Sequence, residues 1–423
     1  MNILVIGGGG REHAVIRKIK ENPAVQTIWA WPGNGGIALD AVCVGKSATD
    51  LDGICDFAKN NPVDFAVVTP DDPLILGCVD RLEALGVPCF GPDKAAARIE
   101  GSKSFAKELM KKYGIPTASY EVFDDAEDAL AFLDGCGVPV VIKADGPALG
   151  KGVIIANTRD EARQAVRDMM EERVFGDSGT RVVIEEFLTG PEVSVLAFTD
   201  GKTIVPMVSS MDHKRALDGD AGLNTGGMGT VAPNPYYAPE IAEICMKTIF
   251  IPTIRAMRAE GCPFKGCLYF GLMITPDGPK VIEYNCRFGD PETQVVLPLL
   301  ESDLLTIMQA VRNETLTPEL VRFREQSACC VILASDGYPK KYATGFPIEM
   351  QETLPCGAQV FIAGAKRAAD QLVTAGGRVL GVTATANDLR TAVENAYLAA
   401  DTIHFENARK RSDIGARALK ALR

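Results

Sequence analysis

The stretch KVIEYNCRFGDPE, residues 280–292, carries polar side chains at alternate positions of an otherwise apolar, strand-like run. These side chains are Glu283, Asn285 and Arg287. Because strand side chains alternate between two faces, the three converge on one patch, while Ile282 faces the other way. Carboxylate and carboxamide oxygens are ligands for Mg²⁺, and a guanidinium can fork onto a phosphoryl or carboxylate oxygen. An antiparallel sheet with one solvated face explains the isolated pattern equally simply.

A glycine-rich loop with lysines follows a second apolar run. In IKADGPALGKG, residues 142–152, Lys143 ends a predicted strand and Lys151 lies between Gly150 and Gly152. The loop is not a Walker motif, because no Ser or Thr follows the lysine and no helix is indicated. Two lysines beside flexible glycines suit a triphosphate that is covered after it binds. An ordinary surface hairpin with solvated lysines explains this motif alone about as well.

Two adjacent carboxylates interrupt a third apolar run, VIEEFLTGPE at residues 183–192. A charge such as that of Glu185 inside a strand is costly unless a partner neutralises it. The run is either an exposed edge strand or part of a site for a nucleotide base and ribose. In the second case, backbone groups of residues 186–188 would contact adenine and Glu192 would accept ribose hydroxyls.

Four glycines precede the first predicted helix, in GGGGREH at residues 7–13. Backbone N–H groups at such a turn approach a phosphate closely, and the helix N-terminus adds partial positive charge. The dinucleotide fingerprint fails, because Glu12 stands where the third glycine is required and no acidic residue follows the second strand in WAWPGN. We therefore expect a smaller phosphate ligand here, bound with help from Arg11.

Two loops, DHKR (212–215) and NTGGMG (224–229), are rich in glycine and ionisable groups and bracket a stretch without regular periodicity. Such loops are either disordered or functional. The lysines near the glycine loop, two Mg²⁺ ligands on one strand face and a guanidinium together indicate a phosphoryl-transfer site.

Composition narrows the class of protein. A chain of 423 residues with 47% hydrophobic residues predicts about three domains with ordinary cores. The net charge of −11 argues against a broad nucleic-acid or lipid-binding surface. Twelve scattered cysteines and no apolar run of membrane-spanning length predict reduced thiols in a cytoplasmic protein. Three histidines make a histidine-based zinc site or a catalytic triad a poor explanation.

The chain divides into three predicted regions. Residues 1–101 alternate strands and helices, which predicts a doubly wound parallel sheet and an α/β class. Residues 102–325 change to an antiparallel α+β pattern, with hairpin turns at Asp200-Gly201 and Asp277-Gly278. Residues 326–423 predict a small C-terminal α+β domain.

At this point the chain resembles the ATP-grasp superfamily and, within it, the glycinamide ribonucleotide synthetase (phosphoribosylamine–glycine ligase) family along essentially its full length. The resemblance is carried by GGGGREHA, AWPGN, EGSKSFAK, VIKADG with GKGV, DHKR, NTGGMG, EYNCRFGDPETQ and GYP. DHKR with NTGGMG and NCRFGDPETQ are distinctive of this family. The lysines and the Glu/Asn pair are shared across the superfamily.

The resemblance implies that residues 102–325 form an ATP-grasp domain with a mobile lid at about 117–190. It also implies ATP-dependent ligation of glycine to 5-phosphoribosylamine through glycyl phosphate, in purine biosynthesis. We expect a monomer that binds these small molecules, without nucleic-acid or membrane partners.

The residues implied to serve this reaction fall into four groups. Those implied to bind ATP are Lys103, Lys143, Gly150, Lys151, Gly152, Glu185, Glu186, Phe187, Leu188, Glu192, Arg215 and Asn224. Those implied to bind the other substrates are Gly9, Arg11, Gly226, Gly227, Met228 and Glu292. Those implied to act in catalysis are Asp212, Lys214, Arg287 and Asp290. Glu283 and Asn285 are implied to ligate Mg²⁺ or Mn²⁺.

Three other classes compete with this prediction. Another ATP-grasp carboxylate ligase, such as a carboxylating relative, would keep the lysines and the Glu/Asn pair but would not require DHKR with NTGGMG. A nucleotide-binding regulator without catalysis would not require Glu283, Asn285 and Arg287 together. A nicotinamide-dependent dehydrogenase fails on the fingerprint at residues 7–13.

Overall fold

The computed structural model describes residues 1–148 and 152–422 of the chain. Its N-terminal region is built on a parallel sheet. Its five strands are ordered β3-β2-β1-β4-β5, and all neighbouring pairs are parallel. Both faces of β1 are buried, with Leu4 and Ile6 in one core and Ile3 and Val5 in another, as a doubly wound sheet requires. The elements are β1 (Asn2–Gly7), α1 (Gly10–Lys20), β2 (Thr27–Pro32), β3 (Val42–Cys43), α2 (Leu51–Asn60), β4 (Phe65–Val68), α3 (Asp71–Leu76), α4 (Cys78–Ala84), β5 (Cys89–Phe90) and α5 (Lys94–Gly101).

The middle region begins with a helix and a four-stranded antiparallel sheet that has its own hydrophobic core. Ser102 caps the helix by accepting a hydrogen bond from the Phe105 amide, and Gly114 ends it with a left-handed φ of 66°. The sheet order is β6-β9-β7-β8, so β9 is an interior strand. The elements are α6 (Lys103–Tyr113), β6 (Tyr120–Phe123), α7 (Ala126–Gly135), β7 (Val140–Ala144), β8 (Val153–Ala156), α8 (Arg159–Met170) and β9 (Val182–Glu186).

A second four-stranded antiparallel sheet, ordered β11-β10-β16-β17, completes the middle region. Both predicted Asp-Gly hairpins are present, and Gly201 and Gly278 adopt positive φ angles of 84° and 111°. The elements are β10 (Glu192–Asp200), β11 (Ile204–Pro206), β12 (Met211–Asp212), β13 (Arg215–Leu217), β14 (Ala221–Asn224), β15 (Gly229–Ala232), α9 (Pro239–Cys245), α10 (Ile251–Ala259), β16 (Lys265–Thr275), β17 (Gly278–Asn285), α11 (Thr293–Leu299) and α12 (Leu304–Arg312).

The C-terminal region carries a six-stranded sheet that also includes two strands of the middle region. Its path runs β12-β15-β18-β22-β19, and β23 pairs with β18. The DHKR loop begins on β12, so the third region supports part of the middle region directly. The remaining elements are β18 (Ser327–Ser335), β19 (Gln359–Ile362), β20 (Ala365–Ala368), β21 (Gln371–Thr374), β22 (Arg378–Ala386), α13 (Leu389–Ala400), β23 (Ala408–Arg409) and α14 (Ala416–Ala421).

Two predictions from composition can be compared with this fold. All twelve cysteines are free thiols, and ten of them lie in or at the edge of hydrophobic clusters. Within residues 1–148 and 152–422, every helix is too short or too polar to cross a bilayer. The predicted arrangement of a parallel N-terminal sheet, an antiparallel α+β middle and a small C-terminal α+β region is confirmed.

Candidate active site

A cleft of about 470 Å³ lies between the β6-β9-β7-β8 sheet and the β10-β16-β17 strands. It brings together segments that are far apart in sequence, including α6, the loop after β9, the β13–β14 hairpin and the end of β17. The residues singled out from the sequence that line it are Lys103, Lys143, Gly152, Glu185, Glu186, Phe187, Leu188, Glu192, Asp212, Lys214, Arg215, Asn224, Gly226, Glu283, Asn285, Arg287, Asp290 and Glu292.

The remaining six residues fall into two groups. Gly150 and Lys151 lie outside the described residues. Gly9, Arg11, Gly227 and Met228 are described, and they do not belong to the set of lining residues. Met228 is 2% exposed and Arg11 is 8% exposed.

The end of β17 departs from strict strand alternation. The register with β16 shifts by one residue, so that Glu283 opposes Gly271 while Val281 opposes Leu272. Ile282 is the extra residue of this β-bulge, and it lines the cleft together with Glu283. The prediction that Ile282 faces away from the polar patch is therefore wrong, because the bulge turns the strand locally.

Glu283 is held ionised by lysines. Lys214 Nζ lies 3.2 Å from Glu283 Oε1. The positive charge of Lys214, opposed by burial and aided by Lys143, lowers the pKa of Glu283 to about 2. The charge of Glu283 in turn raises the pKa of Lys214 well above its usual value. Both groups are therefore charged at neutral pH.

The guanidinium of Arg287 is fixed by a carboxylate that the sequence did not single out. Arg287 Nη2 lies 3.0 Å from Glu100 Oε1 and donates to Asn285 Oδ1 at 3.3 Å. Glu100 Oε2 also accepts the Cys286 amide at 2.7 Å, so one carboxylate orients two consecutive residues after the strand. Arg287 Nε is buried and has no hydrogen-bond partner among the described residues. That N–H is a donor available to a ligand in the cleft.

Lysines surround Glu185 at one end of the cleft. Lys107 Nζ and Lys143 Nζ each lie 3.0 Å from Glu185 Oε2, and the three side chains are 3 to 5% exposed. The interpretation of this run as an exposed edge strand is wrong, because β9 lies between β6 and β7. Lys103 also lines the cleft nearby. We refer to Lys107 and Lys143, which pair with Glu185, together with Lys103 as the lysine end.

A second group of lining residues carries carboxyl groups. Asp212, Asp290 and Glu292 all line the cleft, and we refer to these three residues with Arg378 as the acidic end. Burial, followed by the negative charge of Glu292, raises the pKa of Asp212 well above its usual value. Arg378 Nη2 lies 3.4 Å from Asp290 Oδ2, and its Nη1 donates to the carbonyls of Asp290 and Gly226 at 2.8 Å. Arg378 belongs to β22, so the third region contributes to this end of the cleft.

The glycine turn at the start of α1 is partly filled by its own helix. The Gly9 amide donates to Glu12 Oε2 at 2.6 Å, and a Cβ placed on Gly7 would lie 2.5 Å from Glu12 Cγ. The glycines thus make room for the carboxylate that replaces the third glycine of the dinucleotide fingerprint. Arg11 donates to Glu12 Oε1 at 2.6 Å and to the Phe288 carbonyl at 3.1 Å. Through Phe288, this turn is joined to the segment that follows Arg287.

Side-chain oxygens suited to a divalent cation are present on β17. Glu283 and Asn285 direct a carboxylate and a carboxamide into the cleft. Residues 1–148 and 152–422 contain no group of three or more His, Cys, Asp or Glu side chains that could hold a metal ion. Two oxygen ligands with phosphate and water completing the shell are what Mg²⁺ prefers, whereas a structural zinc site needs four protein ligands. The donor set therefore fits a hard cation such as Mg²⁺ or Mn²⁺.

Sequence reasoning missed several charged residues here, among them Glu100 and Lys107, which line the cleft, and Arg378, which pairs with the lining residue Asp290. Each of these three acts by pairing with a residue far away in the chain, at separations of 187, 78 and 88 positions from Arg287, Glu185 and Asp290. Lys107 stands in EGSKSFAK, which was singled out as a motif, although only Lys103 was selected from it. The available signal was spacing, because Lys107 lies three positions before Met110 and therefore on the same face of the predicted helix.

The fold and the cleft define an ATP-grasp protein. The family model for the ATP-grasp (A) domain of phosphoribosylglycinamide synthetase matches residues 101–293. The N and C domain models of the same enzyme match residues 1–100 and 328–417. The chain belongs to the phosphoribosylglycinamide synthetase family.

Individual relatives agree with this assignment. The chain is 48% identical over 419 residues to a phosphoribosylamine–glycine ligase of Halalkalibacterium halodurans, covering 99% of this chain and 97% of the relative. A crystal structure of phosphoribosylamine–glycine ligase from Thermotoga maritima superimposes with a TM-score of 0.87 at 34% identity, covering 98% of this chain and 100% of that one. The biotin carboxylase domain of Hydrogenobacter thermophilus 2-oxoglutarate carboxylase, solved with MgADP, ADP and bicarbonate, has a TM-score of 0.75. The superposition covers 97% of this chain and 91% of that domain at 18% identity. At this identity the similarity concerns the fold alone.

Proposed function

We propose that this chain ligates glycine to 5-phosphoribosylamine at the expense of ATP. The products are glycinamide ribonucleotide, ADP and phosphate, a step of purine biosynthesis. The observation that carries the proposal is the convergence of the lysine end with Glu283, Asn285 and Arg287 in one cleft. Membership of the phosphoribosylglycinamide synthetase family supports the choice of substrates.

The chemistry requires activation of a carboxylate. Glycine's carboxylate is resonance-stabilised and a poor electrophile, so its oxygen first takes the γ-phosphoryl group of ATP to form glycyl phosphate. The amine of 5-phosphoribosylamine then attacks the acyl carbon, a C–N bond forms, the C–O bond to phosphate breaks and the amine loses a proton. No enzyme nucleophile takes part. Positioning of the reactants and stabilisation of charge supply the catalysis.

The residues of the cleft have distinct roles in this proposal. Lys103 and Lys143 neutralise ATP phosphates, together with Lys151. Glu283 and Asn285 hold Mg²⁺ or Mn²⁺, which supplies positive charge to the transferring phosphoryl group. Arg287 steadies the acyl phosphate, because Glu100 and Asn285 fix its orientation and its Nε remains available as a donor.

The nucleoside is assigned to the segment after β9 and to the β13–β14 hairpin. In this assignment, Glu192 accepts ribose hydroxyls. The residues proposed to contact the rest of the nucleotide are Gly150, Gly152, Glu185, Glu186, Phe187, Leu188, Arg215 and Asn224.

The acidic end is assigned to the amine-bearing substrates. Asp212, Asp290 and Glu292 carry carboxyl groups that suit an ammonium group. Lys214 lies 3.2 Å from Glu283 Oε1 and 4.0 Å from Glu192 Oε2. Gly226, Gly227 and Met228 form the loop against this end. Gly9 and Arg11 are proposed for the ribose phosphate, which requires the substrate to displace contacts that both now make to Glu12. We propose that the protein acts as a monomer in the cytoplasm on these small molecules.

A coupled assay of ADP release tests the proposal. The purified protein should release ADP with ATP, Mg²⁺, glycine and freshly generated 5-phosphoribosylamine, and product should appear only when both acceptor substrates are present. Turnover with bicarbonate and none with glycine would instead indicate a carboxylating relative. ATP binding without phosphate release under any acceptor would indicate a nucleotide-binding regulator.

A further inference from the structure

The β13–β14 hairpin lines the cleft but has little packing of its own. Among the described residues, its two strands form a sheet only with each other. Residues 217–223, which make up most of the hairpin, are all exposed, including the apolar side chains of Leu217 and Leu223. An isolated two-stranded hairpin is marginally stable in water. Because Arg215 and Asn224 on this hairpin line the cleft, contacts from outside the hairpin must fix their positions.

Arg411, near the end of the third region, supplies the central contact. Its side chain is only 2% exposed. Its Nη1 donates to the Arg215 carbonyl at 3.1 Å and to Asp220 Oδ1 at 3.0 Å, which joins the start of β13 to the tip of the hairpin. Its Nε and Nη2 donate to the two carboxylate oxygens of Asp413 at 2.7 and 2.8 Å. This bidentate contact fixes the plane of the guanidinium and therefore the direction of Nη1.

The two residues that follow Arg411 hold the tip of the same hairpin. Ser412 donates to the Asp218 carboxylate through its amide at 2.8 Å and through its hydroxyl at 2.5 Å. The Gly219 amide donates to Asp413 Oδ2 at 2.8 Å. Asp413 thus accepts hydrogen bonds from both Arg411 and the hairpin. We refer to Arg411, Ser412 and Asp413 as the C-terminal clamp.

The segment that leads into the hairpin is tied to the third region through a neutral histidine. The Gly415 amide donates to His213 Nε2 at 3.2 Å, and His213 Nδ1 lies 3.1 Å from the Gly229 carbonyl. Burial, followed by the positive charge of Arg411, lowers the pKa of His213 to about 4. At neutral pH the ring is therefore uncharged, with Nδ1 as donor and Nε2 as acceptor. The third region thus contacts both the tip of the hairpin and the segment before it.

We infer that Arg411 is a positioning residue for nucleotide binding, because it holds the β13–β14 hairpin so that Arg215 and Asn224 face the bound nucleoside triphosphate. The inference rests on the proposed use of ATP in this cleft. Arg411 does not belong to the set of lining residues, so it acts through the hairpin. Arg417 of α14 extends these contacts into the cleft, since it is a lining residue and its Nη1 lies 3.2 Å from Asp220 Oδ2.

Calorimetric titration with ATP and Mg²⁺, without glycine or phosphoribosylamine, measures the expected effect. Arg411→Met removes every side-chain donor that orients the hairpin, and it should raise the Kd for ATP about tenfold. In turnover assays the KM for ATP should rise similarly, while the KM for glycine should stay within about twofold of wild type. Arg411→Lys should not restore ATP binding, because one ammonium group cannot make the bidentate contact and also reach the hairpin.

A double variant separates a positioning role from a general loss of stability. Arg215→Met alone should raise the Kd for ATP about tenfold. In the Arg411→Met background, the same change should raise the Kd by less than about threefold, because the hairpin no longer holds Arg215 against the nucleotide. Two residues that act independently would instead give effects that multiply.

Arg409→Met is the matched control. Arg409 lies two residues before Arg411 and is exposed, and it pairs with Asp336 rather than with the hairpin. This variant should leave the Kd for ATP within about twofold of wild type. Asp218→Ala is a second test, because it changes only the exposed tip of the hairpin and removes the acceptor of Ser412. It should raise the Kd for ATP about threefold, and it decides the question if Arg411→Met does not fold.

Three results would overturn the inference. Folded Arg411→Met could bind ATP as tightly as wild type, Arg411→Lys could restore binding fully, or the effects of Arg411→Met and Arg215→Met could multiply. If Arg411→Met does not fold, wild-type ATP binding by Asp218→Ala overturns it instead. Failure of the proposed function is distinguishable, since it would appear as ATP binding that depends on Arg411 without ligation of glycine to phosphoribosylamine.

Discussion

The two ends of the cleft have opposite charge. At the lysine end, Lys107 and Lys143 pair with Glu185, and at the acidic end Arg378 pairs with Asp290 beside two further carboxylates. A cation-rich site suits a triphosphate, and an acid-rich site suits substrates that carry amines. Glu283 and Asn285 lie between the two ends, where a phosphoryl group would pass from one substrate to the other. Under the proposed function, each end matches the charge of a different reactant.

The two ends are also formed by different elements of the chain. The lysine end is built from α6, β7 and β9 of the middle region. The acidic end combines β12, the segment after β17, and Arg378 of β22 in the third region. The third region thus reaches the cleft through Arg378, which pairs with Asp290, and through Arg417 of α14, which lines the cleft. Variants that act on one end and leave the other unchanged test this division.

Glu283→Ala should have the largest effect, because it removes an oxygen ligand at the junction of the two ends. We expect kcat to fall by more than about 100-fold, since loss of a group that only orients a metal ligand already costs about 10- to 100-fold. The measurement is Mg²⁺-dependent ADP release, with circular dichroism to verify the fold. Wild-type turnover in a folded variant would refute the metal-binding role.

Arg378→Met should impair the use of glycine and phosphoribosylamine more than the binding of ATP. The loss of its contacts to Asp290 and Gly226 should lower kcat/KM for glycine and phosphoribosylamine by about 10- to 100-fold. The KM for ATP should change less than about threefold, because the lysine end is built without this residue. Arg367→Met on β20, an exposed arginine of the same region, is the control. Equal changes in the KM values of all three substrates would contradict the division into two ends.

The smallest expected effect is a pH dependence of the lysine end. Because the pKa of Lys107 is lowered to about 8, its ammonium group is lost as the pH rises through that value. ATP should then bind about three- to tenfold more weakly at pH 9 than at pH 7, and Lys107→Met should lack this step. Titrations of ATP across this range, with wild type and with Lys107→Met, measure the effect.

The contribution of Lys107 to the free energy of unfolding should change with pH in the direction opposite to ATP binding. The pKa of this lysine is lower in the folded chain than its ordinary value of 10.5, so the unfolded chain binds more protons between about pH 8 and 10.5. The contribution of Lys107 to the free energy of unfolding therefore rises with pH over that interval. Weaker ATP binding at high pH together with a parallel loss of stability attributable to Lys107 would contradict the assignment.

Much of the site was predictable because its signals are local. Alternating polar residues in EYNCRF identified the strand that we propose binds the metal, and Asp-Gly turns identified both hairpins of the middle region. The carboxylate at Glu185 in an apolar strand predicted a buried partner, and two lysines are present. These features depend on side-chain type and on a period of two along one strand, which a sequence displays directly.

What the amino-acid sequence alone determined is therefore the class of chemistry, the three regions and a set of site residues, most of which line the cleft. Only the tertiary structure decided that Ile282 forms a bulge, that Glu12 fills the glycine turn, and which partners Glu100, Lys107 and Arg378 take. The physical reason is the separation along the chain between the residues that interact. Strand alternation and turn chemistry act between neighbours in the chain, whereas a buried ion pair depends on which distant segments the fold brings within about 3 Å of one another.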